Sequence, residues 1–526
     1  MFLCLSTLLP LGAILVETTS ALRCSPTLLK YPALVGGTVL DVEAREAHNF
    51  SAVSISPGTN EGGQYTVSFC NVTITHTHPG WNDTVHTRVW LPLEGWNGRF
   101  HALGGGGYSA GFGALYLTHA VAQGFASAST DGGLPAGNGN EAIPTDLSWA
   151  LSSNGNVNWL LLDDYASTAT NDMAIIGQQI TQSYYGKPAN YSYFAGCSAG
   201  GRQGLLMAQK YPGVFDGILT ISPALNIQSF IPAGMWASQV MNELGVYPSP
   251  WEIEAFTKAA IEVCDRLDGV EDGIISYPDL CHVTAFDFVG HNYTCNGTQK
   301  VFTASSAQII QAAWDGSISV SKGDGWSGLN KDASIGSYYI PTECSTNNTC
   351  HFVESPLFGN WFKDLLAKDP NFSVSNMTRD DYFEAVHSSI VDYTSMLGTN
   401  DPDLNHFKEK GGKMITWHGL ADEVIPPDGT IKYYAQVLKN DPKAHDFYRF
   451  YEAPGVGHCY GGVGPIPNGA MSQLIEWVEN DRAPATLHAT KGSNNMARDL
   501  CPYPLRQKFI GGDPNIPASF TCASSD

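Results

Sequence analysis

At 526 residues the chain is too long for one ordinary hydrophobic core, so two structural units or one large fold with a big insertion are expected. Only 15% of its residues are charged and 11% are aromatic, with 55 glycines and 30 prolines, which describes a loop-rich globular enzyme rather than a helical bundle or a disordered chain. The net charge of −22 would be repelled by phosphate backbones and acidic headgroups, which argues against nucleic acid and an anionic membrane surface as partners.

Residues 1–21 hold an apolar run from Phe2 to Val16 followed by small residues, the pattern of a cleaved secretory signal, although no basic residue precedes the run. Nine N-x-S/T sequons, at Asn49, Asn71, Asn82, Asn190, Asn292, Asn296, Asn347, Asn371 and Asn376, fit secretion and N-glycans. Losing Cys4 with the signal leaves 11 of the 12 cysteines, which in an oxidising compartment implies five disulfides and one thiol left over. Proximity suggests Cys264 with Cys281, Cys344 with Cys350, Cys501 with Cys522 and Cys24 with Cys70, with Cys295 as the odd thiol.

In chain order, 65–69 and 86–90 alternate like strands, and 99–103 is a short strand that runs into Gly104, Gly105, Gly106 and Gly107. Such a run brings backbone close to something else; at this place in an α/β-hydrolase it donates an oxyanion N–H, the alternative being a flexible turn. Residues 125–130 form the next strand, and 172–185 carry apolar residues at helical spacing. The stretch 193–204 then reads as a buried strand, a turn with Ser198 at its apex inside Gly196-Cys197-Ser198-Ala199-Gly200, and a helix beginning at Gly200 or Gly201. This G-x-S-x-G turn lifts a serine hydroxyl above the sheet and frees the N–H of the next residue, Ala199, for an oxyanion. A strand at 217–222 follows. Strand and helix alternating at this spacing predict a doubly wound, mostly parallel sheet, the α/β-hydrolase fold.

From 226 to 405 the alternation stops, and tryptophans, sequons, short helices such as 252–264 and long polar stretches take over. The expected organisation is therefore a catalytic α/β-hydrolase domain of 22–225 and 406–526, interrupted by a lid of 226–405. The α/β pattern returns with a strand at 413–417, a helix at 427–438, a strand at 447–451 and a closing helix at 472–479.

A serine nucleophile needs an imidazole to take its proton and a carboxylate to hold the imidazole tautomer. In α/β-hydrolases the acid lies after a late strand and the histidine after the last one; Asp422 and His458 occupy those places. His418, beside the same strand, reads as a hydrogen-bonded structural histidine. Cys197 precedes the serine and Cys459 follows the histidine, so contact between Ser198 and His458 would bring the two cysteines within disulfide reach. In the insertion, Asp265, Asp268 and Asp272 lie among glycines that permit sharp turns, and the carbonyls of Val270 and Ile274 could complete an all-oxygen shell of the kind Ca²⁺ accepts. An acidic, solvated turn is the plainer reading of the same residues.

These motifs, Gly196-Cys197-Ser198-Ala199-Gly200-Gly201-Arg202-Gln203-Gly204, the acidic run from Cys264 to Ile275, His418-Gly419-Leu420-Ala421-Asp422 and Gly457-His458-Cys459, resemble the fungal and bacterial tannase and feruloyl esterase family from about Cys24 to Cys522. The resemblance implies Ser198, Asp422 and His458 as a triad, a disulfide joining Cys197 to Cys459, and a structural calcium in the lid held by Asp265, Asp268, Val270, Asp272 and Ile274. The chain departs from that pattern in having Ala199 where serine or threonine is usual, in keeping only Cys295 where many members have a further cysteine pair, and in lacking a dibasic cleavage site. The function expected is that of a secreted serine esterase on feruloyl or other hydroxycinnamoyl esters, with galloyl or other aromatic esters as the alternative. From another class, an inactive polyphenol- or carbohydrate-binding protein would keep the fold.

Overall fold

The computed structural model describes residues 24–59, 62–135, 145–295, 297–318, 325–346, 349–492 and 495–524; the signal expected at 1–21 and the sequons Asn296 and Asn347 lie outside them. Nine strands form one sheet: β1 (Thr38–Ser54), β2 (Gly63–Thr77), β3 (Val85–Pro92), β4 (Arg99–Leu103), β5 (Ala126–Thr130), β6 (Tyr191–Cys197), β7 (Gly217–Ile221), β8 (Lys413–Gly419) and β9 (Tyr448–Ala453). Their order is β1-β2-β3-β5-β4-β6-β7-β8-β9, antiparallel through β5 and parallel from β5 to β9. Strands such as β5 and β7 are buried at every position because helices cover both faces of a parallel sheet.

On one face α2 (Ala169–Tyr185), α3 (Ala199–Lys210) and α4 (Asp428–Asn440) share a core through Met173, Ile176, Leu205, Tyr434 and Val437. On the other, α1 (Ala114–Ala122) and α5 (Ala470–Asn480) pack Leu117, Leu474 and Trp477 against the sheet. This is the expected mostly parallel, two-faced α/β architecture. The strand expected at 65–69 is part of the first half of β2, and the helix expected at 172–185 begins three residues earlier. The long β1 was not anticipated: it lies at the sheet edge, largely exposed or half-exposed, so its sequence carries little apolar alternation.

The segment between β7 and β8 folds into helices and short hairpins, including Ile227–Gly234, Pro250–Cys264, Ala304–Asp315 and Arg379–Leu397. Its apolar cluster holds Phe230, Ile309, Trp361 and Tyr382, and takes in Tyr108, Trp149 and Tyr165 from loops above the sheet. Two hairpins close the chain, Leu487–Lys491 with Met496–Leu500 and Leu505–Phe509 with Phe520–Ser524. They reach back to the acidic loop of the insertion through Arg498 on Asp272 (2.9 Å) and Arg506 on Asp279 (2.6 Å).

Disulfides join Cys24 to Cys70, Cys197 to Cys459, Cys264 to Cys281, Cys344 to Cys350 and Cys501 to Cys522, and Cys295 is a buried free thiol. Among the described residues no helix is long and apolar enough to cross a membrane.

Candidate active site

Ser198 caps α3 with φ +61° and ψ −124°, a conformation that L-residues rarely adopt. Glycines on either side make that corner possible: a Cβ on Gly196 would lie 2.5 Å from the Gly200 carbonyl carbon, and one on Gly200 would lie 2.7 Å from the Gly105 oxygen. The corner is pinned by the Ser198 N–H on Ile221 O (3.0 Å) and by the Ala224 N–H on Ser198 O (3.0 Å). Ser198 remains half-buried and lines a cavity.

Asp422 sits in the turn after β8 and is fully buried. Its Oδ1 accepts the N–H groups of Val424 (2.9 Å) and Ile425 (2.8 Å), and its Oδ2 lies 2.9 Å from His458 Nδ1 and 3.1 Å from His418 Nε2. Burial pushes this carboxyl up, but the charge of His458 and hydrogen bonds from both histidines hold it well below the usual carboxylate range. In turn, burial pushes the His458 imidazolium down, and the charge of Asp422, its hydrogen bond and then the charge of Glu423 outweigh that and raise it. The aspartate thus stays ionised and fixes His458 with Nδ1 occupied and Nε2 available. His418 is enclosed by Asp422, the Ile425 carbonyl and the Thr430 hydroxyl, so it packs behind the aspartate and does not line the cavity.

The Cys197–Cys459 bridge closes a separation of 262 residues with Cα atoms 5.8 Å apart, tying the serine corner to the histidine loop. Cys197, Ser198, His458 and Cys459 all line the same cavity.

The glycine loop after β4 divides its work. The Gly105 N–H donates to Gln203 Oε1 (3.0 Å) and its carbonyl accepts the Gly200 N–H (3.1 Å), so Gly105 is committed to holding the loop on α3 and is withdrawn from the expected oxyanion donors. Gly106, Gly107 and Ala199 line the cavity. Two polar residues of α3 brace this arrangement: Gln203 also donates to Ala110 O (3.1 Å), and the fully buried Arg202 donates to the carbonyls of Tyr165 (3.1 Å) and Ala166 (3.0 Å). The Tyr165 hydroxyl in turn donates to Gly107 O (2.8 Å).

The cavity measures about 470 Å³. Phe112, Leu115 and Tyr116 line it together with Ile227, Phe230, Ile231, Tyr338 and Leu357 of the insertion. Glu423, which sequence reasoning missed, faces the cavity and accepts the His458 N–H at Oε2 (3.0 Å). Its adjacency to Asp422 was the one available signal.

In the acidic loop of the insertion, Asp265 accepts the Asp272 and Gly273 N–H groups (3.2 and 2.9 Å), and Asp268 accepts that of Val270 (2.9 Å). Asp272 Oδ2 meets Arg498, whereas Asp272 Oδ1 is buried without a hydrogen-bond partner. Val270 and Ile274 are buried beside it, and the loop is bracketed by the Cys264–Cys281 bridge. Only hard oxygens are offered, with one of them orphaned, which fits a calcium-class ion, although the three carboxylates stand too far apart to converge on one ion without some closing of the loop.

The model of the family "Tannase and feruloyl esterase" matches residues 70–523. The chain belongs to the tannase and feruloyl esterase family. It is therefore a carboxylic ester hydrolase. It is 41% identical to a probable feruloyl esterase of Arthroderma benhamiae over 87% of this chain and 86% of that one, and 29% identical to a tannase of Aspergillus oryzae over 96% and 93%. Among solved structures, the tannin acyl hydrolase of Aspergillus niger matches with a TM-score of 0.84 at 27% identity, covering 95% of each chain. Feruloyl esterase B of Aspergillus oryzae shares the fold at a TM-score of 0.75 and 23% identity, over 93% of this chain and 97% of that one.

Proposed function

We propose that the enzyme is a secreted, glycosylated serine esterase of phenolic acid esters, with hydroxycinnamoyl (feruloyl) esters as its preferred class. The carrying observation is the largely apolar, aromatic-walled cavity lined by both Ser198 and His458. Its lining is mostly apolar, with polar groups such as Tyr338, Tyr460 and Glu423 among the aromatic and aliphatic side chains, a setting that favours a ring with fewer free hydroxyls to pair. A methoxylated cinnamoyl ring makes smaller demands. The relatives named as feruloyl esterases and tannases agree with this substrate class.

In the first half-reaction Ser198 Oγ bonds to the ester carbonyl carbon and its proton passes to His458 Nε2. The N–H of Ala199, with that of Gly106 or Gly107, holds the oxyanion. Collapse of the tetrahedral centre breaks the ester C–O bond, and His458 returns the proton to the departing alkoxide. Water repeats the sequence on the acyl-enzyme and frees the acid and Ser198. Asp422 keeps its charge throughout.

Asp265, Asp268, Asp272 and the carbonyls of Val270 and Ile274 would hold a structural Ca²⁺. Such an ion supplies charge neutralisation in the insertion and takes no part in the reaction. Five disulfides fit an oxidising, extracellular compartment. Of the sequons, Asn49, Asn82, Asn190, Asn292, Asn371 and Asn376 are exposed and suited to glycans, whereas Asn71 has its side-chain oxygen buried and is a poor acceptor.

Comparing kcat/KM for methyl ferulate and methyl gallate tests the reading. A preference for ferulate is expected; a preference for gallate would move the enzyme to the tannase side, and hydrolysis undiminished in Ser198→Ala would overturn the mechanism.

A further inference from the structure

Five ionisable side chains meet in the protein interior, away from the serine. His76 and His78 stand at the end of β2, Asp83 in the turn leading to β3, Asp164 at the start of the π-turn Asp164–Thr168, and Asp172 in α2. All five are buried. His78 Nδ1 lies 2.6 Å from Asp83 Oδ2 and 3.7 Å from Asp164 Oδ1, while its Nε2 lies 2.8 Å from Asp172 Oδ2. One ligand atom each from His78, Asp83 and Asp164 falls within 4.8 Å of the others. The other set of this kind among the described residues, Cys197, His458 and Cys459, has its sulfurs joined to each other and no thiolate to offer.

Two features separate this cluster from a self-sufficient hydrogen-bonded core. Asp164 is fully buried, yet neither of its oxygens has a hydrogen-bond partner; His78 Nδ1, 3.7 Å from its Oδ1, is beyond bonding distance. His76 is also fully buried with both ring nitrogens unpartnered, 3.8 Å from Asp172. Buried polar atoms left unpartnered in this way are costly unless a bound group satisfies them.

We propose that His78, Asp83 and Asp164 hold a divalent transition ion of the zinc class. The donor set is one imidazole nitrogen with two carboxylate oxygens, which suits Zn²⁺, Co²⁺ or Mn²⁺ better than Ca²⁺. Asp172 sits on the far ring nitrogen of the same imidazole, the carboxylate–histidine arrangement that orients a metal-bound histidine. At metal–ligand bonds of about 2.0–2.2 Å, a tetrahedral ion holds its ligand atoms roughly 3.4 Å apart. The two observed spacings at His78 Nδ1, 2.6 and 3.7 Å, straddle that value, so the ion replaces the proton shared with Asp83 and draws Asp164 in.

The consequence reaches the active site. Asp164 opens the π-turn whose next residues, Tyr165 and Ala166, brace Gly107 and Arg202. An ion here ties that brace to the β2–β3 turn; its role is structural.

The test uses the full secreted chain, stripped with chelator and titrated with Zn²⁺ or Co²⁺ alone. One tight equivalent is expected by calorimetry, with visible absorption from bound Co²⁺. It should persist in the calcium-loop variant Asp268→Asn and weaken at least 100-fold in Asp164→Asn, with a Zn²⁺-dependent rise in Tm that the Asp164 variant lacks. Should Asp164→Asn fail to fold, anomalous scattering from Co²⁺-soaked crystals of the unaltered protein decides the matter. A peak between His78, Asp83 and Asp164 upholds the site. No peak there, no retained ion at micromolar free metal, or equal binding by Asp164→Asn overturns it.

Discussion

Asp422 carries more of the active site than any other side chain, since it orients His458, accepts two backbone N–H groups and meets His418. Replacing it with asparagine keeps the shape but removes the charge that fixes the imidazole, and kcat should fall about 10⁴-fold. Steady-state kinetics on methyl ferulate would check this. The pH dependence follows from the two shifts already described. His458 must be neutral to act as base, and its pKa is raised, so the acid limb of kcat/KM should lie above the ordinary histidine value of 6.5. Glu423→Gln removes one of the charges that raise it, which should move the limb to lower pH by roughly a few tenths of a unit. An unmoved limb would mean that another group sets it. Asp422 has the opposite linkage: its depressed pKa contributes stability that is present above the unfolded carboxylate value and is lost as pH falls through the folded one.

At the scale of elements, three connections assemble the site: the Cys197–Cys459 bridge, the Gln203 clasp on the glycine loop, and the Arg202 brace on the π-turn. The Cys197→Ala, Cys459→Ala double variant releases the histidine loop from the serine corner. Its kcat should drop at least 10-fold at a temperature where tryptophan fluorescence still reports a native fold, because four other disulfides and the sheet remain. Arg202→Met removes two charge-assisted hydrogen bonds and leaves two buried carbonyls without their donors. A loss of about 3 kcal/mol in urea unfolding is expected, with kcat reduced because Tyr165 no longer steadies Gly107. The strands and helices around these connections were legible to within a few residues, since buried parallel strands and amphipathic helices write their periods into the sequence. The exposed β1 was not, and neither was the commitment of Gly105: which N–H of a four-glycine run stays free depends on a glutamine that folds against it from another element.

For the whole molecule, the insertion and the terminal hairpins meet at the acidic loop, where Arg498 lies on Asp272 and Arg506 on Asp279. Calcium bound there should stabilise the folded chain by about 2.7 kcal/mol at a free concentration 100 times its dissociation constant. Adding Ca²⁺ to chelator-stripped protein should therefore raise Tm, and Asp268→Asn should abolish the rise while leaving Ser198 reactive toward a fluorophosphonate. A Tm indifferent to calcium in the unaltered protein would leave the loop an acidic turn.

The sequence by itself determined the fold class, the serine corner and the order of serine, aspartate and histidine, and it suggested the cysteine pairs that the structure then joined. Each of these is a local signal or a spacing that chain geometry constrains. Only the tertiary structure decided which walls close the cavity, that Glu423 faces it, and that His78, Asp83 and Asp164 gather in the interior. Those depend on side chains from distant segments sharing one volume, and no periodicity in the chain records which segments will meet.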